Sequence, residues 1–334
     1  MPRSLGRIGL LAALTLLWTD FGSAAERLLP AVADNTLFSE MPPGQTLSNG
    51  AGPHVFVGLN RFFHVRRGLM RFSLTPEIPF GSTINAATLT VNISQAAAAG
   101  FTPVSVHRLL ASWGEGTSNS GTPGGSGAPA TPGDATWLHR FFDTDFWLTP
   151  GGDFAPGATA TATPSSLGAF SISGLAGDVQ TWLDLPATNH GWLLRLSSET
   201  TSQTAIRLDS RENPVAGLRP ALRVSFRAGG DANADDLVNL SDFAVLAANF
   251  NQGLFGPDNG DFNRDSIVDL ADFAILAINF NRDFSRAAVP EPRLGVVAGA
   301  IVLIRSLRKR RSGGKQPSAE GLTRKPAASS DGGG

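Results

Sequence analysis

One segment of the chain occurs twice. Gly230 to Phe250 reads GDANADDLVNLSDFAVLAANF, and Gly260 to Phe280 reads GDFNRDSIVDLADFAILAINF. Counted from the first Asp, Asp231, Asn233, Asp235, Asn239 and Asp242 hold positions 1, 3, 5, 9 and 12 of the first copy. Asp261, Asn263, Asp265, Asp269 and Asp272 hold the same positions of the second. Oxygen-bearing residues are kept while the positions between them drift. Behind each loop, apolar residues recur at helical spacing: Leu240, Phe243, Leu246, Ala247 and Phe250, then Leu270, Phe273, Leu276, Ala277 and Phe280. One such helix cannot bury its face alone, which explains why the unit comes as a pair.

The spacing is that of an EF-hand-type calcium loop. A tight loop turns alternate side chains inward, and a hard cation takes about six to eight oxygens. Position 7 contributes its backbone carbonyl, so its side chain is free to vary. Here it is Leu237 and Ile267. Acidic surface turns alone would not produce two five-ligand sets in register, so two calcium ions are expected. Position 6 usually carries Gly for its turn; Asp236 and Ser266 stand there and predict weakened affinity.

The rest of the chain sets limits on chemistry. It has 334 residues, a formal net charge of -1 and no cysteine. Near-neutral charge gives no basis for a nucleic-acid partner, and the lack of cysteine excludes disulfides, thiol catalysis and Cys-ligated zinc. His54, His64, His107, His139 and His190 are scattered, with no local metal-binding spacing, and no G-x-S-x-G is present. His107 falls within a strand pattern, as a core or flank residue.

Residues 26–228 read as an antiparallel, mainly β region. RGLMRFSL (67–74), TINAATLTVNIS (83–94), VSVHRLL, GWLLRLSS and ALRVSF are short strand-type runs separated by turn-rich segments. LAGDVQTWL is helical in spacing, with Leu175, Val179 and Trp182 or Leu183 on one face. Segments 118–134 and 149–166 are low in complexity and predict long surface loops that build little core. Two carboxylates, Asp143 and Asp145, would share one face of a strand; they read either as an acid–base or cation pair or as solvated loop acids. Arg207, Asp209, Arg211 and Glu212 read as an ion-pair network pinning a loop to the sheet. Trp137 and Trp147, flanking LHRFFDTDF, are the candidates for a sugar-stacking platform, with burial as the alternative.

The two ends read as addresses. A basic start, the apolar run Ile8 to Trp18 and small residues at Ser23 and Ala25 form a signal peptide over 1–25, so the protein is expected to be exported. Near the other end, Pro290, Glu291 and Pro292 precede an apolar run, Leu294 to Ile304, and a basic cluster, Arg305 to Arg311. The apolar run is shorter than the roughly twenty residues of a full span. Residues 312–334 read as a disordered tail.

The order ADNTLFSE, RGLMRFSLTPEIPFGSTINAATLTV, VSVHRLLASWGEG, GDVQTWLDLPATNHGWLLRL, LDSRENP, RPALRVSF resembles the DNRLRE domain family over residues 33–226. GDATWLHRFFDTDFW is similar to a subgroup found in planctomycete-type secreted proteins. The resemblance implies a jelly-roll-like sandwich, with extracellular polysaccharide as a ligand in some members, and no enzyme activity of its own. Loop followed by helix, over 229–283, resembles the dockerin type I repeat. Positions 10 and 11, which carry partner recognition in clostridial dockerins, are Leu240 and Ser241, and Leu270 and Ala271. Either a cohesin-like partner binds there or the pair is a calcium-stabilised spacer. Segment 288–311 resembles a PEP-CTERM sorting signal, which implies an exosortase-type machinery, a transient membrane anchor, and a place at the cell surface or in the extracellular matrix. The expectation is a secreted, non-catalytic, polysaccharide-binding protein. A structural coat protein without ligand and a component of a polysaccharide-degrading, glycoside hydrolase system are the alternatives.

Overall fold

The computed structural model describes residues 24–40 and 46–285. The signal segment up to residue 23, the sorting motif Pro290, Glu291 and Pro292, and the tail lie outside them. No helix of the described residues is long and apolar enough to cross a membrane.

The described residues are mainly β. The strands are β1 (Ala25–Phe38), β2 (Leu47–Ser48), β3 (His54–Leu59), β4 (Val65–Phe72), β5 (Thr83–Ala96), β6 (Val104–Arg108), β7 (Ala128–Pro129) and β8 (His139–Phe141). They continue with β9 (Asp145–Phe146), β10 (Ala160–Ala162), β11 (Gly168–Ile172), β12 (Trp192–Leu196), β13 (Ile206–Asp209), β14 (Ala221–Arg227), β15 (Leu237–Val238) and β16 (Arg282–Asp283). Among the described residues there are three α-helices: α1 (Ala176–Asp184), α2 (Leu240–Ala248) and α3 (Leu270–Asn279).

All ladders between the principal strands are antiparallel. In one sheet β5 pairs with β14, β13 and β11, and β13 pairs with β3. In the other, β12 joins β4 to β6, and β6 pairs with β10. β1 belongs to both: Ala25–Pro30 pair with β14, and after a register shift between Ala31 and Ala33 the rest pairs with β4. Its extra residue at the shift bends the strand from one sheet into the next, the usual effect of a bulge.

Alternation explains what lies between the sheets. Along β5, Ala87, Leu89, Val91 and Ile93 are buried while their neighbours are not, the period-2 pattern of a half-buried strand. They pack in one cluster with Met70 and Phe72 of β4, Leu194 of β12 and Val224 of β14. α1 lays Val179, Trp182 and Leu183 onto this cluster, as its spacing predicts. Trp182 and Trp192 meet at a tilt, with ring centroids 4.5 Å apart and planes at 53°.

The low-complexity segments 118–134 and 149–166 build little core, but the chain flanking them builds a second one. Leu37, Leu69 and Leu193 point from the outer side of their sheet into a second cluster with Leu109, Trp113, Ala135 and Trp147. The 109–156 stretch therefore covers a sheet face that would otherwise be wet. Within it, buried Asp134 accepts from the N–H of Thr117 at 2.8 Å and of Thr131 at 2.6 Å. Glycine-rich chain is thus fixed by a carboxylate where apolar contacts are few.

The repeat pair shares the main core. Val238, Leu246, Phe262, Val268, Ile275 and Leu276 are continuous with the sheet residues. Buried Asn279 donates to the carbonyls of Gly229 at 2.8 Å and Phe80 at 3.2 Å. Close approach is possible because Gly81 and Gly229 have no side chain. A Cβ on either would meet Ile275 Cγ2, at 2.4 Å and 2.8 Å. Two ion pairs flank the seam, Arg264–Asp184 and Arg227–Asp258, each at 2.5 Å. Truncating Ile275 to Ala is therefore expected to lower the stability of the whole folded unit by about 2–5 kcal/mol. Urea unfolding followed by Trp fluorescence, which reports on the sheets, checks this. An unshifted midpoint would mean that the pair folds separately.

Candidate metal centre

Each repeat loop is built around its first Asp. Asp231 and Asp261 are fully buried. Asp231 Oδ1 accepts from Ala234 N–H at 2.7 Å, and Oδ2 from Asp236 N–H at 3.1 Å. Asp261 Oδ2 accepts from Gly256 and Ser266 N–H, both at 3.2 Å. Oδ1 of Asp261 is buried with no hydrogen-bond partner. Burial is the main cause that pushes the Asp231 carboxyl up to about 6, opposed by the Arg227 guanidinium.

Positions 9 and 12 close each loop onto its helix. Asn239 caps α2, accepting from Ser241 N–H at 2.8 Å, while Asp242 reaches back to Asn239 N–H at 2.8 Å. Asp269 and Asp272 repeat this on α3, at 2.7 Å and 2.9 Å. Both are capping boxes, so these residues have a helix-starting role that metal-ligand spacing alone does not disclose. The other oxygen of each position-12 Asp folds the loop start inward: Asp242 Oδ1 accepts from Ala232 N–H at 2.8 Å, Asp272 Oδ1 from Phe262 N–H at 2.7 Å.

Positions 3 and 5 face one another. Asn233 Nδ2 donates to Asp235 Oδ2, and Asn263 Nδ2 to Asp265 Oδ2, each at 2.9 Å. The side chains of Leu237 and Ile267 are exposed. Leu237 pairs with Asp283 across β15 and β16. The backbone at position 6 is left-handed, with φ of 64° at Asp236 and 74° at Ser266. That conformation favours glycine and costs a side-chain-bearing residue about 1–2 kcal/mol. At Asp236 the side chain has a partner: its Oδ1 accepts from Ala25 N–H at 3.1 Å, tying the first residue of β1 to the first loop. β1 thus begins one residue inside the segment read as a signal. Nothing in the repeat spacing announces this tie, whose partners lie 211 residues apart.

The donor set suits calcium. It is all oxygen, it recurs in register, and one buried carboxylate oxygen is left without a partner. The chemistry such an ion supplies is charge neutralisation at a loop root, where it would be held by the position 1, 3 and 5 side chains, the position 7 carbonyl and the position 12 Asp. The helix stripe is covered only in part. Leu246, Ile275 and Leu276 are buried, whereas Leu240 and Leu270 stand exposed beside Ser241 and Ala271. Phe243 and Phe273 meet edge-on at 6.0 Å.

The aromatic platform is corrected. Trp147 is 4% exposed, sits in the second cluster and donates its Nε1–H to Thr136 O at 2.9 Å. Trp137 is half-buried beneath the Arg67 guanidinium, 4.8 Å from its ring. Trp147 offers no open ring face to a sugar, and Trp137 has Arg67 over its ring, because both rings pack against the cluster on the outer sheet face. Asp143 and Asp145 also do not share a strand face. Asp143 lies in the β8–β9 turn with φ 72°, and Asp145 pairs with Arg140 at 2.8 Å. His107 is a buried strand residue whose Nδ1 lies 2.9 Å from Ala155 O.

The 207–212 segment splits in two. Asp209 accepts from Asn92 at 2.6 Å and faces His54 at 3.3 Å. Arg211 turns the other way, to Glu115 and Glu212, beside Asp34. Burial is the main cause holding the Asp34 carboxyl well above the usual carboxylate range, with the Glu212 charge second.

No family model matches the chain, and no curated protein matches it significantly.

Replacement of Trp147 by Ala is expected to lower stability by about 3–5 kcal/mol, the cost of emptying a packed aromatic site. Thermal unfolding checks it. An unchanged midpoint would show that the ring is not a packing element.

Proposed function

We propose that this is an exported, surface-sorted, non-catalytic protein. A jelly-roll-like sandwich carries a dockerin-like helical pair that binds two calcium ions, and the sandwich contacts extracellular polysaccharide. The observation that carries the calcium reading is the pair of fully buried Asp231 and Asp261 at equivalent roots of in-register oxygen loops, one with an orphaned oxygen. A buried charged oxygen without a partner is costly, and a cation at the loop centre would remove that cost. Export and sorting rest on the sequence of the two ends.

Polysaccharide contact is carried to a different place from the tryptophans. A cleft of about 300 Å³ opens over the face of neighbouring β3, β13 and β5, beside the 123–126 loop, and Phe56, Asn60, Gln95, Pro123 and Arg207 are among its lining. Apolar surface beside amides and a guanidinium is the mixture that a sugar ring requires. Retention of the full chain on immobilised polysaccharides, lost with Arg207→Ala, supports this; no retention on any of them leaves the structural coat protein.

The calcium test uses the full chain. Asp231→Ala with Asp261→Ala removes both position-1 carboxylates and is expected to bind two fewer calcium ions per chain by equilibrium dialysis. An equal count in parent and variant would overturn the reading.

A further inference from the structure

We infer a third cation site, outside both repeat loops: a divalent-ion centre made by the carboxylates of Asp34, Glu115 and Glu212. It goes beyond the proposed function and does not depend on it. Asp34 lies on β1, Glu115 in the loop after β6, and Glu212 in the turn after β13, so three distant segments converge. One ligand oxygen from each lies within 4.8 Å of the other two.

Two observations besides proximity point to an ion. Asp34 is fully buried; its Oδ2 accepts from Arg211 N–H at 2.7 Å, but its Oδ1 has no partner. Glu212 Oε2 is likewise buried and without a partner. Two buried, unpartnered carboxylate oxygens in one cluster offer the donors that a hard cation takes, since buried polar atoms are otherwise paired.

Charge gives the valence. Arg211 is the cation at the cluster, with Nε 2.6 Å from Glu115 Oε1 and 2.9 Å from Glu212 Oε1. With all three carboxylates deprotonated, as ion ligands must be, they leave two negative charges against one guanidinium, which a divalent ion neutralises. An all-oxygen, irregular donor set favours calcium over zinc or another borderline-soft metal.

The donors are held in place before any ion arrives. Asp34 N–H donates to Glu115 Oε1 at 2.8 Å, and Asn35 Nδ2 to Glu115 O at 2.9 Å. A Cβ at Gly50 would lie 1.8 Å from that same carbonyl, so the chain passes directly against it. Ser210 Oγ accepts from Glu212 N–H at 3.1 Å and donates to Gly52 O at 2.8 Å. An ion here would add a further tie between β1 and the loops after β6 and β13.

The full chain carrying Asp231→Ala and Asp261→Ala isolates the site. Equilibrium dialysis against calcium is expected to find one ion per chain in this variant; none overturns the inference. Adding Glu212→Gln, or in a separate protein Glu115→Gln, is expected to bring the count to zero. An ion retained in both places it elsewhere and also overturns the inference. Should both added variants fail to fold, the count in the parent double variant alone decides, with the calcium-induced rise in its melting temperature as the second readout. An unchanged ion count between the wild-type chain and the double variant would instead strike at the repeat loops, so the two failures are distinguishable.

Discussion

Two carboxylates shut away from water govern the C-terminal part of this fold. Asp231 and Asp261 are each buried at the root of a loop, and the loop exists in that shape because its backbone N–H groups converge on them. Removing a charge from water is unfavourable unless hydrogen bonds or a counter-ion compensate. The chain supplies the hydrogen bonds, and then uses the next acids, Asp242 and Asp272, to start the helices. Loop and helix are one device: the residues that fold the loop inward also cap the helix.

That device is not hung from the sheets by a linker. Asn279 holds the carbonyls of Phe80 and Gly229, Ile275 fills the space left by two glycines, and Asp236 holds the start of β1. β1 in turn pairs in both sheets, as β3 does. Whatever changes the loops is thereby joined to a strand that couples the sheets. Ion binding at the loops and, on the further inference, at Asp34 on the same strand would act on one connected element.

Much of this was legible beforehand. Period-2 alternation located β5 and its buried Ala87, Leu89, Val91 and Ile93, and helical spacing located α1 and the repeat helices, because both patterns are local. What escaped was set by partners distant in sequence. Trp147 looked available beside a Gly- and Pro-rich stretch, yet a sheet face presented by Leu37, Leu69 and Leu193 needed covering, and the ring covers it. Leu240 and Leu270 fitted the apolar stripe but stand exposed, since the first helical turn is held by the loop rather than by the core. Asp34, Glu115 and Glu212 carry no shared spacing at all; only the fold brings them together. In the repeat, the ligand pattern was plain, but the second role of Asn239 and Asp269 as helix caps was hidden by the first.

Hydrogen–deuterium exchange on the full chain, with calcium and with chelator, tests the central claim most directly. Calcium is predicted to slow exchange in 231–242 and 261–272, and to extend that protection through Asn279 and Asp236 to residues 80–82 and the start of β1. Exchange unchanged in both loops would contradict ion binding there, and protection that stopped at the loops would contradict their coupling to the sheets.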